Sequence, residues 1–191
     1  NTALRFYSHP KRLSSNTYFL FAGGSNVAGT IGFINAAFEL KQQIEQQQCP
    51  PPSKIFVPVG SSATLAGLSI GVKMAELDTE IVGIRVAPSH LGIIPTCTMN
   101  TVQKLMKQTC KTLNKNGVTL PDIPRPTLID SYYGAGYGHR SDEGDEATKV
   151  FADCGIALDQ TYTAKAAAAF LDSVQRSPDE TQMYWHTFNS R

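Results

Sequence analysis

The chain predicts an α/β fold, a mostly parallel sheet with helices on both faces in a three-layer sandwich, and three observations predict it. Short apolar runs rich in Val, Ile and Phe alternate with longer segments of helical spacing. The runs carry few polar residues, as strands covered on both faces do. Turn-forming residues separate one unit from the next, which suits repeated β-α connections.

Residues 17–22, TYFLFA, read as a short strand bounded by GGSN, whose Asn26 is placed to cap a helix running to about residue 48. Within that helix Ile31, Ile34, Phe38 and Ile44 fall broadly on one face. CPPPS at 49–53 breaks the chain, KIFVPV at 54–59 reads as a buried strand, and a helix follows over about 64–77. EIVGIRVA at 80–87 is the next strand. The loop PSHLGIIP then leads to a helix over about 98–116, ended by Asn116 and Gly117.

The proline-rich connector TLPDIPRP precedes TLIDSYY, which reads as another strand. After GAGYGHRSDEG comes a helix near 142–153, with Asp142 and Glu143 suited to its first turn. TAKAAAAFLDSV reads as a further helix, its alanines favouring close packing, and TQMYWHT as a last strand.

With 191 residues, 41% apolar and 17% charged, the chain has the composition of an ordinary globular domain. A formal net charge of +1 gives no reason to propose nucleic acid, a membrane surface or an acidic partner. No apolar stretch approaches the roughly 18 residues of a membrane span. Cys49, Cys97, Cys110 and Cys154 stand far apart without zinc-ligand spacing, so no metal site is expected. They read as reduced thiols of a cytoplasmic protein.

Attention falls on KIFVPVGSSATLAG, where an apolar run stops at Gly60 and passes through small and hydroxyl-bearing residues into a helix. A buried strand feeding such a turn can hold an anion on the exposed N–H groups of the turn and first helical turn. The same pattern is also an ordinary tight strand-to-helix connection. It lacks the G-x-G-x-x-G of a dinucleotide site and the Lys of a nucleotide P-loop. A small phosphate monoester remains, that of pyridoxal phosphate or of a phosphosugar, held by backbone N–H groups with Ser61, Ser62 and Thr64.

Five blocks then occur in order: FLFAGGSNVAGTIGFINAAFEL, VPVGSSATLAGLSIG, YYGAGYGHRSDEGDEA, LDQTYTAKAAAAFLD and WHT. Together, from about Tyr18 to Thr187, they resemble the 1-aminocyclopropane-1-carboxylate deaminase and D-cysteine desulfhydrase family. The resemblance implies a tryptophan-synthase-β-like (fold type II) large domain over 18–191 behind a lead-in segment, 1–17, with pyridoxal 5'-phosphate as cofactor. It implies a phosphate loop formed by Gly60, Ser61, Ser62, Ala63 and Thr64, with Ser62 and Ala63 standing where glycine is common. Tyr137 and Tyr162 match the two active-site tyrosines. Thr163 matches the residue facing the pyridine nitrogen, and Thr187 a second hydroxyl near the same atom.

The cyclopropane deaminases carry a glutamate where Thr163 stands. A neutral partner there suits β-elimination, so the resemblance leans to a D-cysteine desulfhydrase-like lyase acting on a small amino acid. The family's Schiff-base lysine lies upstream of the first matched block, and Lys73 and Lys165 fall where the family places other things. The chain, which begins at Asn1, therefore reads as the C-terminal part of an enzyme, inactive alone. Relatives are commonly dimers, which makes a homodimer the expectation.

Plainer readings stand beside these. Tyr132, Tyr133 and Tyr137 can be packing residues at a strand end. Thr163 can cap the helix AKAAAAF. His139 and His186 fit structural roles. A phosphosugar-binding or isomerase domain, or a non-catalytic remnant of the fold, accounts for the serine-rich loop as well.

Overall fold

The structure, a computed structural model, describes residues 22–187. The strand expected at 17–22 lies outside the described residues except for Ala22, which opens a 3-10 turn, Ala22–Gly24.

Helix α1 spans Val27–Glu45 and is capped by Asn26, whose side chain accepts from the Gly29 N–H at 2.8 Å. Its buried stripe is Thr30, Ile34, Ala37 and Leu40. Phe38, expected on the inner face, is 42% exposed. The small Ala37 takes the inner position because a glycine-bearing helix crosses there. Strand β1, Lys54–Val59, feeds helix α2, Ala63–Met74. That helix ends where Glu76 takes a positive φ of 55° and the Leu77 N–H reaches back to the Val72 carbonyl.

Strand β2 spans Glu80–Arg85, and the loop after it folds into a two-stranded antiparallel hairpin, β3 (His90–Leu91) with β4 (Ile94–Pro95). Helix α3, Met99–Lys115, starts at a reciprocal cap between Thr98 and Thr101. The expected strand at 127–133 is shorter: β5 covers Thr127–Ile129, and Ser131–Tyr133 form a 3-10 turn. Asp130 turns the chain there, in helical backbone and paired with Arg85 Nε at 2.6 Å. Helix α4, Asp142–Asp153, is capped by the Ser141 side chain, and helix α5 spans Thr163–Arg176. Strand β6, Gln182–Tyr184, closes the order.

The main sheet has the order β5-β2-β1-β6, every pair parallel. Side chains alternate across it as the pleat requires. Ile55, Val57, Val59 and Ile81 face a core built with α1, α2 and α3. Phe56, Val82 and Ile84 face α5, against Ala166 and Ala169. The three-layer α/β sandwich expected from the sequence is what the chain forms. No helix among the described residues is long and apolar enough to cross a membrane.

Helix α2 is buried from Leu65 to Val72 because it lies between the sheet and α1. Gly67 and Gly71, one turn apart, form its contact stripe. A Cβ at Gly67 would lie 2.5 Å from the Thr30 carbonyl oxygen, and one at Gly71 would lie 2.6 Å from Ala37 Cβ. The glycines leave α2 without side chains of its own here, so α1 packs onto its bare backbone through the Thr30 carbonyl and the Cβ atoms of Phe33 and Ala37. Gly67→Ala should therefore lower stability by roughly 1–3 kcal/mol in urea unfolding, because the clash is with backbone. That loss outweighs the gain of about 1 kcal/mol in helix propensity. A stabilised variant would show that the two helices are free to separate.

Candidate functional site

The carboxyl end of β1 leads through Gly60, Ser61 and Ser62 into α2. Ser62 is buried and left-handed, with φ 77° and ψ −19°. A non-glycine residue in this region costs on the order of 1 kcal/mol. Its side chain makes no capping bond, and its Oγ lies 3.4 Å from Thr101 Oγ1. The first turn of α2 holds no acidic residue, so no carboxylate of its own opposes the N–H groups that a helix start presents. From the other side, residues 23–25 press on the loop. The Ser25 hydroxyl donates to the Ser61 carbonyl, and a Cβ on Gly23 would lie 2.2 Å from Ser61 Oγ.

Tyr162 stands over this loop. A Cβ at Gly60 would lie 2.7 Å from Tyr162 Cε1, so the bare Cα is what admits the ring. The phenol of Tyr162 is 2.9 Å from that of Tyr137, with the rings edge to face at a centroid distance of 5.8 Å. The structure thus brings together the two tyrosines, 25 residues apart, and the loop. Burial first, then the hydrogen bond with Tyr137, raises the Tyr162 phenol above the ordinary tyrosine range.

A cavity of about 370 Å³ opens beyond the neighbouring strands, lined in part by Arg85, Ser89, Cys97, Thr98 and Asp130. The loop and the tyrosine pair do not line it. Cys97 donates to the Val59 carbonyl, and burial pushes its thiol up to about 12, which makes it a core group and no nucleophile.

The family of pyridoxal-phosphate dependent enzymes matches residues 5–187 of the chain. The chain belongs to that family. Among solved structures it is similar to one described as an ACC deaminase homologue. Identity there is 29%, the TM-score is 0.67, and the match covers 85% of this chain and 46% of that one. It is also similar to a threonine deaminase from T.th., at 20% identity and a TM-score of 0.48, covering 84% of this chain and 60% of that one. The chain thus spans about half the length of the solved structures it matches.

For a pyridoxal-phosphate dependent family, the loop fits the cofactor's phosphate. Gly60 and the hydroxyl-bearing Ser61, Ser62 and Thr64, with Ala63, run straight into the start of α2, whose first turn carries no acidic residue. Thr163, expected beside the pyridine nitrogen, has its hydroxyl engaged within the chain. Thr163 is fully buried, and its hydroxyl donates to Asp159 Oδ2 at 2.6 Å while accepting from the Asp159 N–H at 2.6 Å. The expectation that it faces the ring nitrogen meets a hydroxyl already committed elsewhere. The physical reason is the start of α5, whose N–H groups need acceptors. Thr187 is exposed at the end of the described residues. His139 is exposed, and the His186 ring lies tilted 6.0 Å from that of Tyr184.

Sequence reading missed Asp159, which carries the start of α5. Its Oδ1 accepts from the N–H groups of Thr161 and Tyr162, and its Oδ2 from that of Thr163. The signal was present, an Asp four residues before a helix start. It also missed Ser25 and the Gly60–Tyr162 contact, which join segments distant in sequence.

Two measurements check this geometry. Asp159→Ala should cost roughly 1–2 kcal/mol in urea unfolding, as loss of a helix cap does; a change within error would leave α5 supported by other groups. Tyr162 and Tyr184, both raised chiefly by burial, should ionise late, their phenolate absorbance developing above about pH 10, the ordinary value. Since folding raises these groups, their contribution is complete below the unfolded value and is lost as pH rises through the folded one. Tyr162→Phe should remove one late-ionising phenol from a spectroscopic titration and leave that of Tyr184.

Proposed function

We propose that this chain forms the phosphate-holding and proton-handling part of a pyridoxal-phosphate-dependent lyase or deaminase acting on a small amino acid. The reading leans to β-elimination from D-cysteine, releasing a 2-oxo acid, ammonia and sulfide, with 1-aminocyclopropane-1-carboxylate opening as the close relative. The observation that carries it is the hydrogen-bonded pair Tyr137–Tyr162 standing over the Gly60 loop.

The N–H groups of residues 61–64 and the dipole of α2 bind and orient the phosphate. Pyridoxal phosphate, when bound, supplies the electron sink that lets bonds at the amino acid's α-carbon break. Tyr162, held protonated at neutral pH, keeps its phenol proton for a departing group. Tyr137, 49% exposed, can accept that proton's hydrogen bond or hold a substrate carboxylate. The Gly60 contact fixes the Tyr162 ring over the loop, so phosphate and proton donor keep one spacing.

A neutral Thr163 rather than a carboxylate favours elimination over ring opening. As the structure stands, that preference acts only if its hydroxyl leaves Asp159. The chain alone is proposed to be inactive. Lys165, three residues from Tyr162, has its Nζ committed to two backbone carbonyls and offers no amine to a carbonyl group.

The test is sulfide release from D-cysteine by the full-length protein with its cofactor. Tyr162→Phe should lower kcat roughly a hundredfold or more while leaving cofactor binding near wild type. No sulfide from the wild-type protein, with 1-aminocyclopropane-1-carboxylate consumed instead, would move the assignment to the deaminase side. Absence of both reactions would overturn it.

A further inference from the structure

Lys165 is buried at the first turn of α5, and its Nζ donates to the carbonyl of Tyr133 at 2.7 Å and to that of Gly136 at 2.8 Å. The same ammonium lies 5.2 Å from the Tyr133 ring centroid, while Arg85 covers that ring at 4.1 Å. Arg85 is itself tied to Asp130 and to the Ala87 carbonyl. A chain of contacts therefore runs from the end of β2, through Tyr133, to Lys165.

What it holds is the segment carrying Tyr137. Gly134, Gly136 and Gly138 there have φ of 64°, 144° and 76°. Three such glycines give the unfolded segment more freedom than most sequences, so ordering it is expensive. Its own hydrogen bonds are sparse: Tyr133 N–H to the Asp130 carbonyl, and His139 N–H to the Gly136 carbonyl at 3.3 Å. The Tyr137 side chain is half exposed, so packing does not fix it either. Tyr162 and Lys165, three residues apart at the start of α5, share one helix face. One meets the Tyr137 phenol and the other grips the backbone just before it.

We propose that Lys165 is a positioning residue: its buried ammonium clasps the 133–136 turn and so holds the Tyr137 phenol on Tyr162. The charge is what makes the clasp strong, since hydrogen bonds from an ammonium exceed neutral ones. Two carbonyls and an aromatic face offset the desolvation of the cation. The use of the tyrosine pair in catalysis rests on the proposed function, whereas the clasp is a property of this chain with or without substrate.

The experiment is amide hydrogen exchange on the full-length protein, wild type against Lys165→Met. Residues 134–139 should exchange roughly ten- to a hundredfold faster in the variant, with β1 and the body of α5 unchanged. The Tyr162 phenol should ionise earlier as its Tyr137 partner is released, with Asp159 and Cys97, which also raise it, left in place. Unchanged exchange at 134–139 would overturn the proposal. Amine acylation of the folded wild type serves where the variant does not fold. Lys165 should stay unmodified while the exposed Lys104 and Lys149 react, and modification at their rate would overturn it. A failed D-cysteine assay would count against the proposed function alone.

Discussion

The approach of α1 to α2 across Gly67 and Gly71 is the constraint on which the rest depends. With no side chain on α2 at these two positions, α1 packs closely on it, and α2 is buried along most of its length. Its first turn is thereby fixed at the end of β1. The same approach brings the residues before α1 over the loop, where Gly23 and Ser25 meet Ser61. A larger residue in the stripe would lift α1 and these contacts together, so core packing and loop shape are one problem.

That coupling explains the alphabet of the loop. Ser62 takes a left-handed backbone that a glycine would adopt without strain. The turn is determined by its surroundings: β1 and α2 on either side, Thr101 beside Ser62, and Ser25 on Ser61. A short segment over-determined in this way can keep a residue its local preference disfavours.

The fold was largely legible in the sequence because buried parallel strands leave a plain signal. KIFVPV and EIVGIR are apolar on both faces, and the caps Asn26, Thr98 and Ser141 sit where their helices begin. Phe38 misled because amphipathic spacing marks a stripe but not which residue within it can fit against a glycine-bearing neighbour. TLIDSYY misled because its pattern continues past Ile129, while an ion pair between Asp130 and Arg85, 45 residues away, turns the chain. At the site, Tyr137 and Tyr162 were named from motif resemblance, and the structure does bring them together. The Thr163 hydroxyl was harder to place, since its nearest competitor, Asp159, acts through local backbone bonds that no motif advertises.

The bare Cα of Gly60 has a consequence for how sequences of this kind can diverge. Because the Tyr162 ring occupies the space a Cβ would need, positions 60 and 162 are not independent. An alanine at 60 is tolerated only beside a smaller residue at 162, and a sequence that loses the tyrosine opens room for side chains at 60. Substitutions at the two positions are epistatic, so a lineage can pass from one pairing to another only through an intermediate with either a clash or a hole. The route through the hole is the more passable, because a void at a partly open surface can fill with water, whereas a Cβ at 60 must displace a ring held at its far end by Tyr137.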